Sequence, residues 1–157
     1  YPIFISLYNS FLKQRYKPFP LKFDNSMTPK SICMLPERVI VKDSIIIKLL
    51  SPLVIRSHNK QTNQDRYFIY NEEDFESAWR DTLYPLLTPV ANVKNIDTLQ
   101  IKPLKCKKVV VRNFGQNIDT TLGILRLDGQ AFLLNYLFSL GIGSRRSQGF
   151  GVFEVIG

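Results

Sequence analysis

LQIKPLKCKKVVVR at residues 99–112, NFGQN at 113–117 and IDTTLGILRLDG at 118–129 form the stretch whose reading decides the fold. Two runs rich in Val, Ile and Leu flank a short polar connection containing Gly115, a pattern that predicts an antiparallel hairpin. Gly123 interrupts the second run, where a bulge is expected. Upstream, EEDFESAWRDTLYPLL at 72–87 places Phe75, Ala78, Trp79, Thr82, Leu83 and Leu86 at helical spacing. This predicts a helix near 72–86, N-capped by Asn71, acidic at its positive end, kinked or ended near Tyr84 by Pro85, with Trp79 in the core. Downstream, DGQAFLLNYLFSLG predicts a second helix over 129–140, capped by Asp128, ended by Gly141, with Leu133, Leu134, Leu137 and Phe138 on its apolar face. SIIIKLLSPLVIR, from residue 44, reads as one long strand with an edge position or bulge at Pro52. A polar turn NKQTNQD and a short extended RYFIY follow it, and GVFEVI closes the chain as a strand.

The order is therefore strand, helix, strand, strand, helix, strand. That is the α+β ferredoxin-like (RRM-like) βαββαβ arrangement, an antiparallel sheet covered on one face by two helices. The chain begins differently. YPIFISLY reads as a strand, 9–17 as a short helix, KPFPLKF as extended because Pro18 and Pro20 exclude a helix, and 31–38 as a further strand. Some forty residues of this kind are too few to bury their own faces.

Composition bounds the function. The 157 residues are 45% apolar, enough for one domain or one domain plus a piece of another. No apolar run approaches the roughly 18 residues needed to cross a bilayer, and no signal-peptide pattern is visible, so a cytoplasmic protein without a membrane partner is expected. Cys33 and Cys106 lie in no metal-ligand or disulfide spacing and read as reduced, partly buried thiols; no metal and no cofactor is expected. The formal charge of +8 and pI near 9.6 favour a polyanionic partner.

The segment with most chemistry is GIGSRRSQGFG at 141–151. Glycines let the backbone approach a ligand, and Arg145 with Arg146 suits a phosphate, with Ser144 and Ser147 as further donors. The other reading is a tight connection that needs glycine for its backbone angles. The loop runs from helix to strand, so neither the P-loop nor the dinucleotide fingerprint applies. An RRM-type aromatic signature is missing from VVVRNFG and LGILRL, which disfavours base stacking on the sheet. Strict alternation puts Lys105 and Lys107 on one face of their strand with Lys102, Lys108 and Arg112 on the other, and only a bulge would change that.

GIGSRRSQGFGVFEVI, together with LLSPLVIR at 49–56, YFIYNEEDFESAW at 67–79 and IKPLKCKKVVV at 101–111, resembles the repeat-associated (RAMP) proteins of CRISPR systems, and among them the CRISPR repeat-processing endoribonucleases. The resemblance covers roughly residues 38–157. It implies two ferredoxin-like domains in tandem, with 41–157 as the C-terminal domain bearing the glycine-rich loop and 1–40 as the remainder of the N-terminal one. It also implies binding of CRISPR repeat RNA, or the crRNA stem-loop, through Gly141, Gly143, Ser144, Arg145, Arg146, Ser147, Gln148, Gly149, Gly151 and Arg56. The chemistry it implies is metal-independent attack of a ribose 2′-OH on the adjacent phosphate. His58, the one histidine, is the candidate base within this sequence, read as a surface residue in a polar turn; the family's usual histidine is expected upstream of Tyr1. The alternatives are a non-catalytic subunit of a CRISPR ribonucleoprotein, with other subunits as partners, and a plain interaction module whose glycine loop is only a turn.

Overall fold

The computed structural model describes residues 2–33 and 38–157. The chain divides into two units, Tyr1–Arg38 and Val39–Gly157. In the first, helix α1 (Pro2–Gln14) precedes a minimal antiparallel ladder of β1 (Phe19–Pro20) and β2 (Ser26–Met27), with Phe19 opposite Met27. The expected opening strand is thus a helix, and the helix placed at 9–17 is its C-terminal part. Leu7 and Phe11, like Tyr8 and Leu12, stand four residues apart, and this spacing outweighs the strand preference of the single residues. Left-handed Tyr16 ends the helix, and the Arg15 side chain donates to the Lys30 carbonyl at 3.0 Å. Of the strand expected at 31–38, residues 31–33 carry no regular structure and 34–37 lie outside the described residues.

The second unit holds a four-stranded sheet of β3 (Ser44–Leu49), β6 (Gln100–Asn113), β7 (Gln116–Asp128) and β8 (Phe153–Val155), in the order β6-β7-β3-β8. Every ladder is antiparallel, and Ile47 stands opposite both Leu125 and Val155. Alternation along β3 buries Ile45, Ile47 and Leu49 while Lys48 stays exposed. These residues share one buried cluster with Leu125, Leu127 and Ile101, with Trp79 and Leu83 of α2 (Phe75–Leu87), and with Leu133, Leu134 and Leu137 of α4 (Ala131–Leu140). Both helices therefore cover the same face, as the ferredoxin-like reading requires. Each buried Leu or Ile there contributes roughly 1.5–3 kcal/mol relative to exposure.

Four local expectations are corrected. The run from residue 44 is not one strand: it breaks at Leu50–Pro52, bridges β7 once through Leu53 and Thr121, and then enters a separate hairpin of β4 (Ile55–Asn59) and β5 (Gln64–Phe68). The N–H groups of Leu50 and Ser51 both donate to the Val152 carbonyl, and Pro52 has no N–H to continue the ladder. Helix α2 starts at Phe75 rather than after Asn71, because Glu72 is held in the preceding turn by the Ile69 N–H and by Arg66. Pro85 neither ends nor stops it short, since α2 continues to Leu87. Asp128 pairs with Arg126 at the end of β7, and the Ala131 N–H at the start of α4 donates instead to Asp43 Oδ1 at 2.9 Å. A short α3 (Val93–Asp97), capped by Asn92, joins α2 to β6.

Candidate nucleic-acid interface

Gly141 closes α4 as expected, with φ +75° and its N–H donating to the Leu137 carbonyl at 2.8 Å. The turn that follows contains the 3₁₀ segment Arg146–Gln148, and Arg145 just before it has left-handed φ. It is stitched onto residues 52–54. The Ser144 N–H donates to the Val54 carbonyl at 2.7 Å and the Gly151 N–H to the Pro52 carbonyl at 3.0 Å, while Ile142 donates to Gly151. A Cβ at Gly151 would lie 1.8 Å from the Ile142 carbonyl oxygen, so glycine is structurally required there; a Cβ at Gly149 would meet open space. Several main-chain donors of the loop are thus engaged by the fold itself.

The β4–β5 hairpin forms the neighbouring wall. His58 lies in β4 and not in a turn, directly opposite Asp65, and its Nδ1 is 2.7 Å from Asp65 Oδ1. An ionised carboxylate only accepts, so Nδ1 carries the proton. Asp65 Oδ2 also accepts from Arg56 at 3.1 Å and from the Tyr67 hydroxyl at 3.3 Å. The hydrogen bond from His58 is the chief cause that holds the Asp65 carboxyl below its ordinary value; burial opposes it and Arg56 assists it. From the turn, the Arg145 guanidinium donates to the Tyr67 hydroxyl at 2.8 Å and to Asn113 Oδ1, and lies 3.9 Å from Asp65 Oδ2. Its side chain is only 17% exposed. Arg146 donates to the Gly143 carbonyl at 2.8 Å, and burial draws its guanidinium below the ordinary value, which makes a bound anion worth more to it.

A cleft of about 570 Å³ opens between these parts. Arg56, Ser57 and His58 line it from β4, residues 143–146 from the turn, and Ser77, Ala78, Asp81, Thr82 and Pro85 from α2, with Phe68 between them. Six residues singled out in the sequence thus meet here: Arg56, His58, Gly143, Ser144, Arg145 and Arg146. Gly141, Ser147, Gln148, Gly149 and Gly151 do not line it, and Gln148 instead accepts from Asn113 at 3.1 Å. Asp65, Tyr67, Asn113 and Asp81 were missed by sequence reasoning. Only Asp65 and Tyr67 carried a signal, being two apart on a strand and so on the same face as Arg145 approaches.

The basic strand is also rearranged. Pairing slips between Pro103 and Lys105, with Pro103 opposite Leu125 and Lys105 opposite Ile124. This bulge brings Lys102, opposite Arg126, onto the same face as Lys105 and Lys107, while Lys108 pairs with Asp119 at 2.7 Å. Cys106 is half-buried and its thiol pKa is raised by burial, whereas Cys33 is exposed, contrary to expectation.

Residues 35–155 match the family described as CRISPR associated protein Cas6, C-terminal. The chain belongs to the Cas6 family. Among solved structures it is similar to the product of a Cas6-related gene from Pyrococcus furiosus, with a TM-score of 0.79 and 21% identity over 99% of this chain and 63% of that one. A RAMP protein binding different RNA substrates gives 0.63 at 21% identity, over 84% of this chain and 52% of that one. A Cas6 product complex gives 0.66 at 10% identity, over 99% and 73%. At such identities the likeness speaks for the fold. The chain spans 63% and 52% of the lengths of the first two of these relatives. No curated protein matches it. Among the described residues no helix is long and apolar enough to cross a membrane, and no group of three or more His, Cys, Asp or Glu stands together as a metal site.

Proposed function

We infer that the chain binds CRISPR repeat RNA through the cleft beside the glycine-rich turn, and that a protein of full family length cuts precursor CRISPR RNA within the repeat. The observation that carries this reading is the convergence of Arg56, Arg145 and Arg146 on one cleft in a unit that matches the Cas6 family over residues 35–155. Arginines in this setting bind phosphate by charge-assisted, forked hydrogen bonds. Residues 39–157 are assigned as the C-terminal RNA-binding domain, and residues 1–38 as the end of a second ferredoxin-like domain.

The proposed reaction is metal-independent. A base takes the proton of a ribose 2′-OH, the 2′-oxygen bonds to the adjacent phosphorus, and the P–O5′ bond breaks as the 5′-oxygen gains a proton, leaving a cyclic phosphate and a 5′-OH. A histidine suits this proton transfer because it titrates near neutral pH. His58 lines the cleft, and with its Nδ1 proton held by Asp65 its Nε2 is left to accept a proton, so it stays a candidate base within this chain. The base of the longer protein is nevertheless placed in the part of the family's length outside this chain, where the resemblance implies the family's histidine. The exposed position of His58, whose side chain is 39% accessible, favours a second reading, a non-catalytic RNA-binding subunit.

The test is end-labelled repeat RNA incubated in EDTA. This chain should retain RNA without cutting it, and a family-length protein containing it should cut. His58→Ala in the longer protein should keep activity within a few fold, since a true general base contributes about 10²–10⁴ in rate. A loss of about a thousandfold with RNA affinity intact would make His58 catalytic, and failure of the longer protein to cut any repeat RNA would favour the non-catalytic reading.

A further inference from the structure

Helix α2 carries two stripes. Phe75, Trp79, Leu83 and Leu87 are buried in the core, while Asp74, Ser77, Ala78, Asp81, Thr82 and Pro85 line the cleft. Spacings of three and four keep each stripe on its own face of the helix. Opposite the second stripe stand Arg56, Arg145 and Arg146, so the two walls of the cleft have opposite charge. Asp74 lies 3.9 Å from Arg66. Asp81 is exposed and makes no hydrogen bond or ion pair among the described residues. Phe68 and Ala78 are buried beneath the cleft, which leaves Pro85 on α2 as its exposed apolar residue.

A groove for a phosphate chain alone would present donors and cations on every side, because a carboxylate repels phosphate. Cations on one wall, and on the far wall an unpaired carboxylate beside the exposed Pro85 ring, fit something else: one nucleotide lying across the cleft. We propose that this cleft is a single-nucleotide site that selects an unstacked base bearing an exocyclic amino group, with Asp81 as the acceptor of that group. The proposal rests on the RNA-binding reading above and adds to it what the base must be. The phosphate faces Arg145 and Arg146, the base ring packs against Pro85, and the amino N–H donates to the Asp81 carboxylate, the pairing a carboxylate makes with cytosine N4. Uracil would turn a carbonyl oxygen toward Asp81, acceptor against acceptor. Single-stranded RNA is commonly read through splayed bases in this way, and a volume of about 570 Å³ lies within the range of roughly 300–1,000 Å³ usual for such sites.

The experiment compares the hexanucleotides rC6 and rU6, which are alike in size and charge, by fluorescence anisotropy against the whole chain, with CRISPR repeat RNA measured alongside. The expected result is rC6 bound about tenfold more tightly than rU6. Asp81→Ala should bring the two within about twofold by weakening rC6 alone, with Tm little changed because Asp81 is exposed on the helix. Arg145→Ala with Arg146→Ala should weaken both oligomers alike. A wild-type preference below about threefold, an Asp81→Ala variant that tightens both oligomers equally, or binding of repeat RNA with neither hexamer bound would overturn the proposal and leave RNA binding standing. Failure of repeat RNA to bind at all would instead remove the reading on which it rests.

Discussion

At position 151 the packing of the glycine-rich turn demands glycine. A valine there would drive its Cβ into the Ile142 carbonyl at 1.8 Å, and its backbone would still need φ +70°. A valine at 149 meets nothing within 4 Å and faces only the strain of φ +85°. Gly151→Val should therefore cost more than about 3 kcal/mol, whereas Gly149→Val should cost about 1–2 kcal/mol. Thermal melts of the two variants check this, and equal losses would mean that crowding at Ile142 is relieved by movement of the turn. The sequence displays four glycines of equal standing, and only the packed neighbours distinguish them. Arg145 gives the same lesson in reverse. Its position between glycines suggests a side chain with little to cover, yet Tyr67 and Asn113, 78 and 32 residues away, enclose it.

Beside the hydrogen bonds that join the hairpin β4–β5 to the glycine-rich turn, from Arg145 to Tyr67 and from the Arg56 N–H to Ser144, Asp65 holds Arg56, His58 and Tyr67 and lies 3.9 Å from Arg145. Its pKa is lowered in the folded chain, chiefly by the His58 hydrogen bond, so it contributes stability above the unfolded carboxylate value of about 3.9, and that contribution disappears as pH falls through the lower folded value. Asp65→Asn should lower Tm by about 3 °C at pH 7, on the order of 1 kcal/mol, with the gap to the wild type closing toward pH 3. A gap that is the same at both pH values would show that Asp65 acts by packing alone. This hairpin was hard to read because its burial does not alternate: β4 buries only Ile55, and β5 only Phe68. The central hairpin and both covering helices were legible, because Ile45, Ile47, Leu125 and Leu127 alternate and Trp79 and Leu83 recur at helical spacing. What local pattern could not supply was the choice of cap. The carboxylate serving α4 is Asp43, 88 residues before the N–H it accepts, and Asp128, adjacent in sequence, is taken by Arg126.

At the scale of the whole chain, a net charge of +8 says that a polyanion is favoured but not where it binds. The fold says as little, since ferredoxin-like sheets serve many functions. A candidate location comes from tertiary structure, which draws together the hairpin, α2 and the turn after α4 into one cleft whose arginines come from the hairpin and the turn. The bulge after Pro103 adds a second basic region by aligning Lys102, Lys105 and Lys107, a consequence invisible to strict alternation. Which of these carries the RNA is decided by the salt dependence of repeat-RNA binding to the wild type and to the double variant Arg145→Ala, Arg146→Ala, each with its Tm. The wild type should bind, the double variant should bind at least tenfold more weakly, and the slope of log affinity against log salt should fall by about one to two, at a Tm within a few degrees of the wild type. Unchanged affinity and slope, in a variant that melts normally, would contradict binding at these arginines and leave the glycine-rich turn a purely structural connection.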